Sequence, residues 1–259
     1  MTVEKNKNLK TFQSFQAYSD FEKVVKGKFR YVHDKSTKRF LTAALLTSNS
    51  RKIFIHKGQI YWRAQLGCIQ NRYTFDPYPP ERMKPPFGKA KEGRANPKGI
   101  SCLYLATNMQ TAIQEVRPWL ESNVTVAQFQ VAKDLELIDC SKHIHKLDGT
   151  GFDSLYPYIG GDEKKFSNSE IEECVWSWID RAFSMPVDPS DDTADYVPTQ
   201  ILAEFFKASR YDGIIYNSLF AGGKNLVLFD VDSAEVLDCK LYRIINMPPF
   251  EFREITYDF

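Results

Sequence analysis

With 259 residues, 43% hydrophobic and 26% charged, and with 19 Phe, 13 Tyr and 4 Trp, the chain has the composition of a folded globular protein and not of a disordered one. Its 34 basic side chains balance 33 acidic ones to a formal charge of +1, so no overall field draws it to DNA, RNA or an anionic membrane, and any phosphate binding has to be local. The odd, scattered set Cys68, Cys102, Cys140, Cys174 and Cys239 suits reduced thiols in a cytoplasmic, reducing compartment, and the polar start Met1 to Lys10, with no run of ~18 apolar residues anywhere, argues against secretion or membrane insertion.

The first elements are helical. Phe21, Val24 and Val25 are spaced for one helix face, and Phe40, Leu41, Ala44 and Leu45 for a second, with Asn49 as its stop. This pair is too poor in apolar residues to stand alone, so residues 1–50 read as a helical extension packed on a main domain of residues 51–259. Beyond Lys52 the pattern shifts to short strands, Ile53 to Ile55 and Ile60 to Arg63, and the intervening His56-Lys57-Gly58-Gln59 reads as a hairpin turn. A proline- and glycine-rich loop follows from Asp76 to Lys98.

Ile100 to Ala106 alternates, with Leu103 and Leu105 on one face and Cys102 and Tyr104 on the other, which leaves Tyr104 to face a cleft. Thr107 and Gln110 suggest a capping box for a short helix with the stripe Met109, Ala112, Ile113 and Val116, ended by Pro118; Glu115 falls beside that stripe. Val124 to Val131 and Leu135 to Ile138 read as strands. After a glycine-rich stretch, Lys146 to Lys165, Ser167 and Glu170 cap a helix with the stripe Ile171, Cys174, Val175, Trp178, Ile179 and Ala182. Pro186 to Asp195 reads as a surface loop and Pro198 opens another helix through Phe206. Strands Gly213 to Tyr216 and Asn225 to Asp230, and a last hairpin over Val236 to Ile245, complete an α+β chain without repeats.

Polar groups collect at three consecutive junctions. Gly93-Arg94-Ala95-Asn96-Pro97-Lys98-Gly99 sets cations in a glycine-flanked loop, a form able to hold a phosphate, though alone it reads more simply as a solvated turn. Tyr104 on the following strand, Glu115 on the helix after it, and Ser218 at the end of Gly-Ile-Ile-Tyr-Asn could meet in one cleft; separately, each has an ordinary structural explanation. His143 and His145 lack a third ligand and do not make a zinc site. No nucleophile elbow, Walker loop or Rossmann fingerprint is present.

Tyr61-Trp62-Arg63-Ala64-Gln65, the arginine loop at 93–99, Leu-Tyr-Leu-Ala at 103–106, Ala-Ile-Gln-Glu-Val-Arg-Pro at 112–118, Tyr-Val-Pro-Thr-Gln at 196–200, Asp-Gly-Ile-Ile-Tyr-Asn-Ser at 212–218 and Gly-Lys-Asn-Leu-Val-Leu-Phe at 223–229 together resemble the RES domain, over roughly residues 58–240. The resemblance implies an ADP-ribosyltransferase-like fold of mixed sheets with flanking helices. It also implies an enzyme that cleaves the nicotinamide–ribose bond of NAD and, in many members, a toxin paired with an Xre-type antitoxin. On this mapping Arg63, Arg94, Tyr104, Glu115 and Ser218 occupy the family's functional positions. The chain departs from compact members in its extension, in an insert around residues 146–195, and in Ala95 and Lys98.

The expected division of labour puts Glu115 beside the sugar carbon, where a carboxylate stabilises the positive charge that develops as nicotinamide leaves. Tyr104 and Ser218 flank the nicotinamide and ribose, and Arg63 and Arg94 hold the pyrophosphate. NAD is then substrate and not cofactor, no cofactor or metal is required, and the partners are NAD and an Xre-type antitoxin, with no direct nucleic acid and no membrane. Water as acceptor makes the enzyme an NAD glycohydrolase and inorganic phosphate as co-substrate makes it a phosphorylase. The alternatives are a protein acceptor, a non-catalytic NAD- or ADP-ribose-binding module, and a protein-interaction subunit.

Overall fold

The computed structural model of the protein describes residues 11–142, 166–185 and 193–247. Two helices open it, α1 (Ala17–Gly27) and α2 (Lys35–Thr47). Their apolar stripes meet, with the Phe21 and Phe40 rings stacked 4.3 Å apart at their centroids. Asp34 caps α2 by accepting from the Thr37 N–H at 2.8 Å, satisfying one of the donors a helix start leaves open. The helix ends at Thr47 and tightens into a 3-10 turn over Ser48–Arg51, so Asn49 lies inside that turn and does not stop the helix.

The centre is an eight-stranded mixed sheet. Its members are β1 (Lys52–Ile55), β2 (Ile60–Leu66), β5 (Leu103–Ala106), β6 (Asn123–Val131), β7 (Leu135–Asp139), β8 (Gly213–Asn217), β9 (Lys224–Leu228) and β10 (Ala234–Arg243). They run in the order β1-β7-β8-β9-β5-β2-β6-β10, and only β7 and β8 pair in parallel. Two short strands, β3 (Ile69–Gln70) and β4 (Phe75–Asp76), pair separately.

The hairpin expected across residues 56–59 does not form: β1 pairs with β7, and β2 with β6 and β5. The short link nevertheless dictates the shape of the sheet. In the ladder β1 and β2 stand five strand spacings apart, about 24 Å if the sheet were flat, while the chain from Ile55 to Ile60 reaches only about 17 Å. The same holds for Val131 and Leu135, which join β6 to β7. The sheet is therefore folded back on itself, with β1–β2 and β6–β7 as two paired strands bent at one place, where Gly58 N–H still donates to Val131 O at 2.9 Å.

Folding the sheet turns one face inward. Ile55, Leu103, Leu105, Phe129, Leu137, Ile215, Leu226 and Leu228 form that inner core. The alternate residues face out and are covered by helices. Ile138, Ile214 and Val227 pack under α1, α2, α5 (Asn168–Ser184) and α6 (Val197–Ala208). Ala64, Ala106, Val124 and Val126 pack under α4 (Met109–Glu115). A further short helix, α3 (Pro80–Met83), interrupts the proline-rich loop and buries Met83.

Helix α5 begins with the capping box expected of Ser167 and Glu170, and buries Trp176, Ile179 and Phe183. Trp176 ties the extension to this layer: its Nε1–H donates to Thr47 Oγ1 at 3.0 Å and the Arg51 guanidinium lies over its ring. The cap of α4 is Asn108 and not Thr107: Asn108 Oδ1 accepts from the Thr111 N–H at 2.8 Å. Thr107 is occupied by β9, exchanging hydrogen bonds with the backbone of Lys224 at 3.0 Å. The last hairpin expected is one long edge strand, β10, with a bulge between Val236 and Asp238 that absorbs an extra residue. His143, His145 and most of the stretch 146–195 lie outside the described residues, apart from α5 and the turn Thr193–Tyr196. Among the described residues no helix is long and apolar enough to cross a membrane.

Candidate active site

Between α4 and the sheet lies a cleft of about 260 Å³. Strands β2, β5, β8 and β9 supply its floor through Trp62, Tyr104, Tyr216 and Asn225, and α4 supplies Glu115. Of the five residues singled out from sequence, Arg63, Tyr104 and Glu115 line this cleft directly.

Arg63 reaches the cleft through a split in the sheet. β2 and β5 share a single register position, Trp62 opposite Ala106, and then part. The guanidinium lies at this parting and its Nη1–H donates to Tyr104 O at 2.9 Å. Among the described residues its Nε–H has no partner and is shut off from solvent, and burial pulls the guanidinium pKa down from its ordinary value. Among the described residues Arg63 makes no ion pair. A shielded cation without a counter-ion is costly to hold, and the part of the guanidinium that lines the cleft is where an anion could meet it.

Glu115 is pinned by one oxygen. Ser218 Oγ–H and Asn225 Nδ2–H both donate to its Oε1, each at 2.7 Å. Ser218 sits one residue beyond β8, fixed by its own N–H donating to Gly223 O at 3.0 Å. Ser218 thus meets the cleft through the carboxylate, and among the described residues no hydrogen bond reaches Glu115 Oε2. Helix α4 stops at this residue: Arg117 takes φ +48, a left-handed conformation that breaks the helix before Pro118.

Tyr104 has a second task. Its hydroxyl donates to Asn96 Oδ1 at 2.6 Å and accepts from the Ala95 N–H at 3.0 Å, clamping the arginine loop to β5. Burial pushes the phenol pKa well above its ordinary value, so it remains a neutral donor. Gly93 is required by this closeness, since a Cβ there would come within 2.7 Å of the Tyr104 hydroxyl. Asn96 spends its amide on the Lys91, Pro97 and Ile100 carbonyls, and Gln200 of α6 donates to Gly93 O and Asn96 O. The loop is thus rigid, not a solvated turn.

Arg94 is not brought into the cleft wall. Its Nη1–H donates to Phe183 O in the last turn of α5, where the helix dipole favours a cation. Its charge is felt at the buried Tyr216, a floor residue whose phenol pKa burial raises and Arg94 partly lowers.

Asn225, Tyr216, Trp62 and Asn96 were not singled out from sequence. Asn225 and Tyr216 stand opposite each other in the β8–β9 register, which no local pattern reveals. The only available signal was their place inside the Tyr-Asn-Ser and Gly-Lys-Asn motifs.

A family model described as the RES domain matches residues 60–249. Among solved structures, the crystal structure of the M. tuberculosis MbcT-MbcA toxin-antitoxin complex is similar at 15% identity, covering 75% of this chain and 89% of that chain, with a TM-score of 0.38. No curated protein matches.

Proposed function

The chain belongs to the RES domain family, and from that premise we propose that it is an enzyme that binds NAD in the cleft between α4 and the sheet and breaks the nicotinamide–ribose bond. The observation that carries this reading is the pairing, in one cleft, of a shielded arginine without a counter-ion and a carboxylate pinned by a single oxygen. The first suits a phosphate, and the second suits a sugar carbon that becomes positive.

A cleft of about 260 Å³ is near the lower end of ligand pockets, about 300–1,000 Å³. It suits the nicotinamide ribose half of the dinucleotide, with the pyrophosphate at Arg63 and the rest extending past the mouth. Arg94, close enough to influence Tyr216, is assigned to that outer part. Glu115 Oε2 faces the ribose. As the C–N bond breaks, its electron pair goes to the nicotinamide ring, which leaves neutral, and the ribosyl cation formed is stabilised by the carboxylate. Trp62 and Tyr104 wall the ring and exclude water from the opposite side.

Water then gives ADP-ribose and a proton, and inorganic phosphate gives the ADP-ribosyl phosphate. In either case the enzyme depletes NAD, the activity of a toxin held in check by an Xre-type antitoxin. Purified protein incubated with NAD, with and without phosphate, should release nicotinamide stoichiometrically with one of these products, read by mass spectrometry. Glu115→Gln, with an unchanged circular dichroism spectrum, should lose about 10²–10³-fold in turnover. Wild-type turnover in that variant, or intact NAD with the parent protein, overturns the proposal.

A further inference from the structure

The near-neutral total charge conceals a division. Residues 23–39, the end of α1, the linker and the start of α2, hold seven Lys and Arg against one acid, Asp34. Of these, Lys26 is paired with Glu22 and Asp195, and Arg39 donates to Gln13. The side chains of Lys23, Lys28, Arg30, Lys35 and Lys38 are exposed and make no ion pair among the described residues. Fold stability does not call for Lys35 and Lys38, which stand in the first turn of α2, where the helix dipole disfavours cations.

Aromatic rings alternate with these charges. Phe29 is 49% exposed and Tyr31 90% exposed, on either side of Arg30. The linker also forms one wall of a second cavity, of about 520 Å³, to which it contributes Arg30, Tyr31 and His33, while the arginine loop contributes Lys98, the residue before that loop Glu92, and α6 Glu204.

We propose that this basic, aromatic face of the extension, with its cavity, is a binding site for single-stranded nucleic acid. Unpaired cations along the chain meet successive phosphates, and exposed rings offer flat faces on which unstacked bases can lie. Glu92 Oε1 already accepts from Gln200 Nε2 at 3.0 Å; its other oxygen and the carboxylate of Glu204 can accept from the exocyclic amines of a base, a contact that a duplex, with its bases stacked inside, does not offer to a cavity. A bilayer surface does not enter a cavity, and an acidic peptide has no use for the rings. The site stands whether or not NAD is the substrate.

The test is fluorescence anisotropy with the full-length protein and a labelled RNA of about 20 nucleotides, long enough to span the face. If Lys28, Arg30, Lys35 and Lys38 each neutralise one phosphate, the log–log salt slope should be about −2.8, a loss of about 50-fold between 50 and 200 mM salt. Changing all four to Gln should weaken binding at least tenfold, and Tyr31→Ala should weaken it severalfold with little change in the salt slope, a separation that a purely ionic contact would not produce. Both variants should retain the far-ultraviolet circular dichroism of the parent. The site is overturned if the parent protein does not bind at 50 mM salt, if the fourfold variant binds as well as the parent, or if polyglutamate or phosphatidylglycerol vesicles bind the face better than the RNA.

Discussion

Glu115 shows how a residue's chemistry depends on neighbours that are remote in the chain. By pattern it is the exposed edge of a two-turn helix; its two donors come from residues more than a hundred positions away. A similar arrangement surrounds Asp180 of α5, whose carboxylate accepts from the Asn217 N–H and Nδ2–H at 2.9 Å each while buried near Asp139 and Lys224. Burial raises its pKa more than the hydrogen bonds from Asn217 lower it. The folded chain therefore holds this proton more tightly than the unfolded one. Stability from this group is present below the ordinary aspartate value of about 3.9 and is lost as pH rises from there through the raised folded value. In urea titrations across that window Asp180→Asn should gain on the parent as pH rises. A constant difference between the two would show that the carboxylate is not desolvated. All five cysteines are free, and burial pushes Cys102 and Cys174 up to about 11, which keeps these thiols protonated and unreactive.

At the scale of elements, the strongest local signals were right about type and less good at ends. The capping box of α5 is complete within the sequence, because a serine three residues before a glutamate needs nothing from outside, while its apolar stripe is turned from the expected one: Trp178 and Ala182 are only partly buried, and Trp176 and Phe183 fill the core. The cap of α4 was misplaced by one residue because Thr107, chemically as able to cap as Asn108, is claimed by β9. Asn108→Ala should cost about 1 kcal/mol, or about 2–4 °C in melting temperature for a chain of this size. Under the proposed function it should also lower NAD turnover more than that loss of folded protein explains, since the helix carries Glu115. A variant with full turnover would show that α4 is positioned by packing alone. The hairpin at residues 56–59 failed for a similar reason: a turn-like tetrapeptide between two strands also fits the corner of a bent strand, and pairing with β6 and β7 decides between them.

At the scale of the whole molecule, the extension and the family-matched region share a core. Phe21, Phe40, Trp176 and Phe206 belong to one buried cluster, and Ser48 Oγ lies 3.1 Å from the Tyr211 hydroxyl. Removing residues 1–50 exposes the faces of α5 and α6 that α1 and α2 cover and leaves Trp176 Nε1 without Thr47. The truncated chain is expected to be insoluble, or to melt at least 10 °C below the parent, an order-of-magnitude figure for the loss of several kcal/mol of apolar burial. An equal melting temperature would show that the extension is independent. The sequence by itself determined the α+β class, the identity and face of most helices and strands, and the family, because periodicity, caps and short motifs are local. Only the tertiary structure decided that the sheet folds back on itself, that β2 and β5 part around Arg63, that Arg94 closes α5 instead of lining the cleft, and that Asn225 holds Glu115. Each of these depends on which strands pair and in what register, and that is set by burying one face of the whole sheet at once.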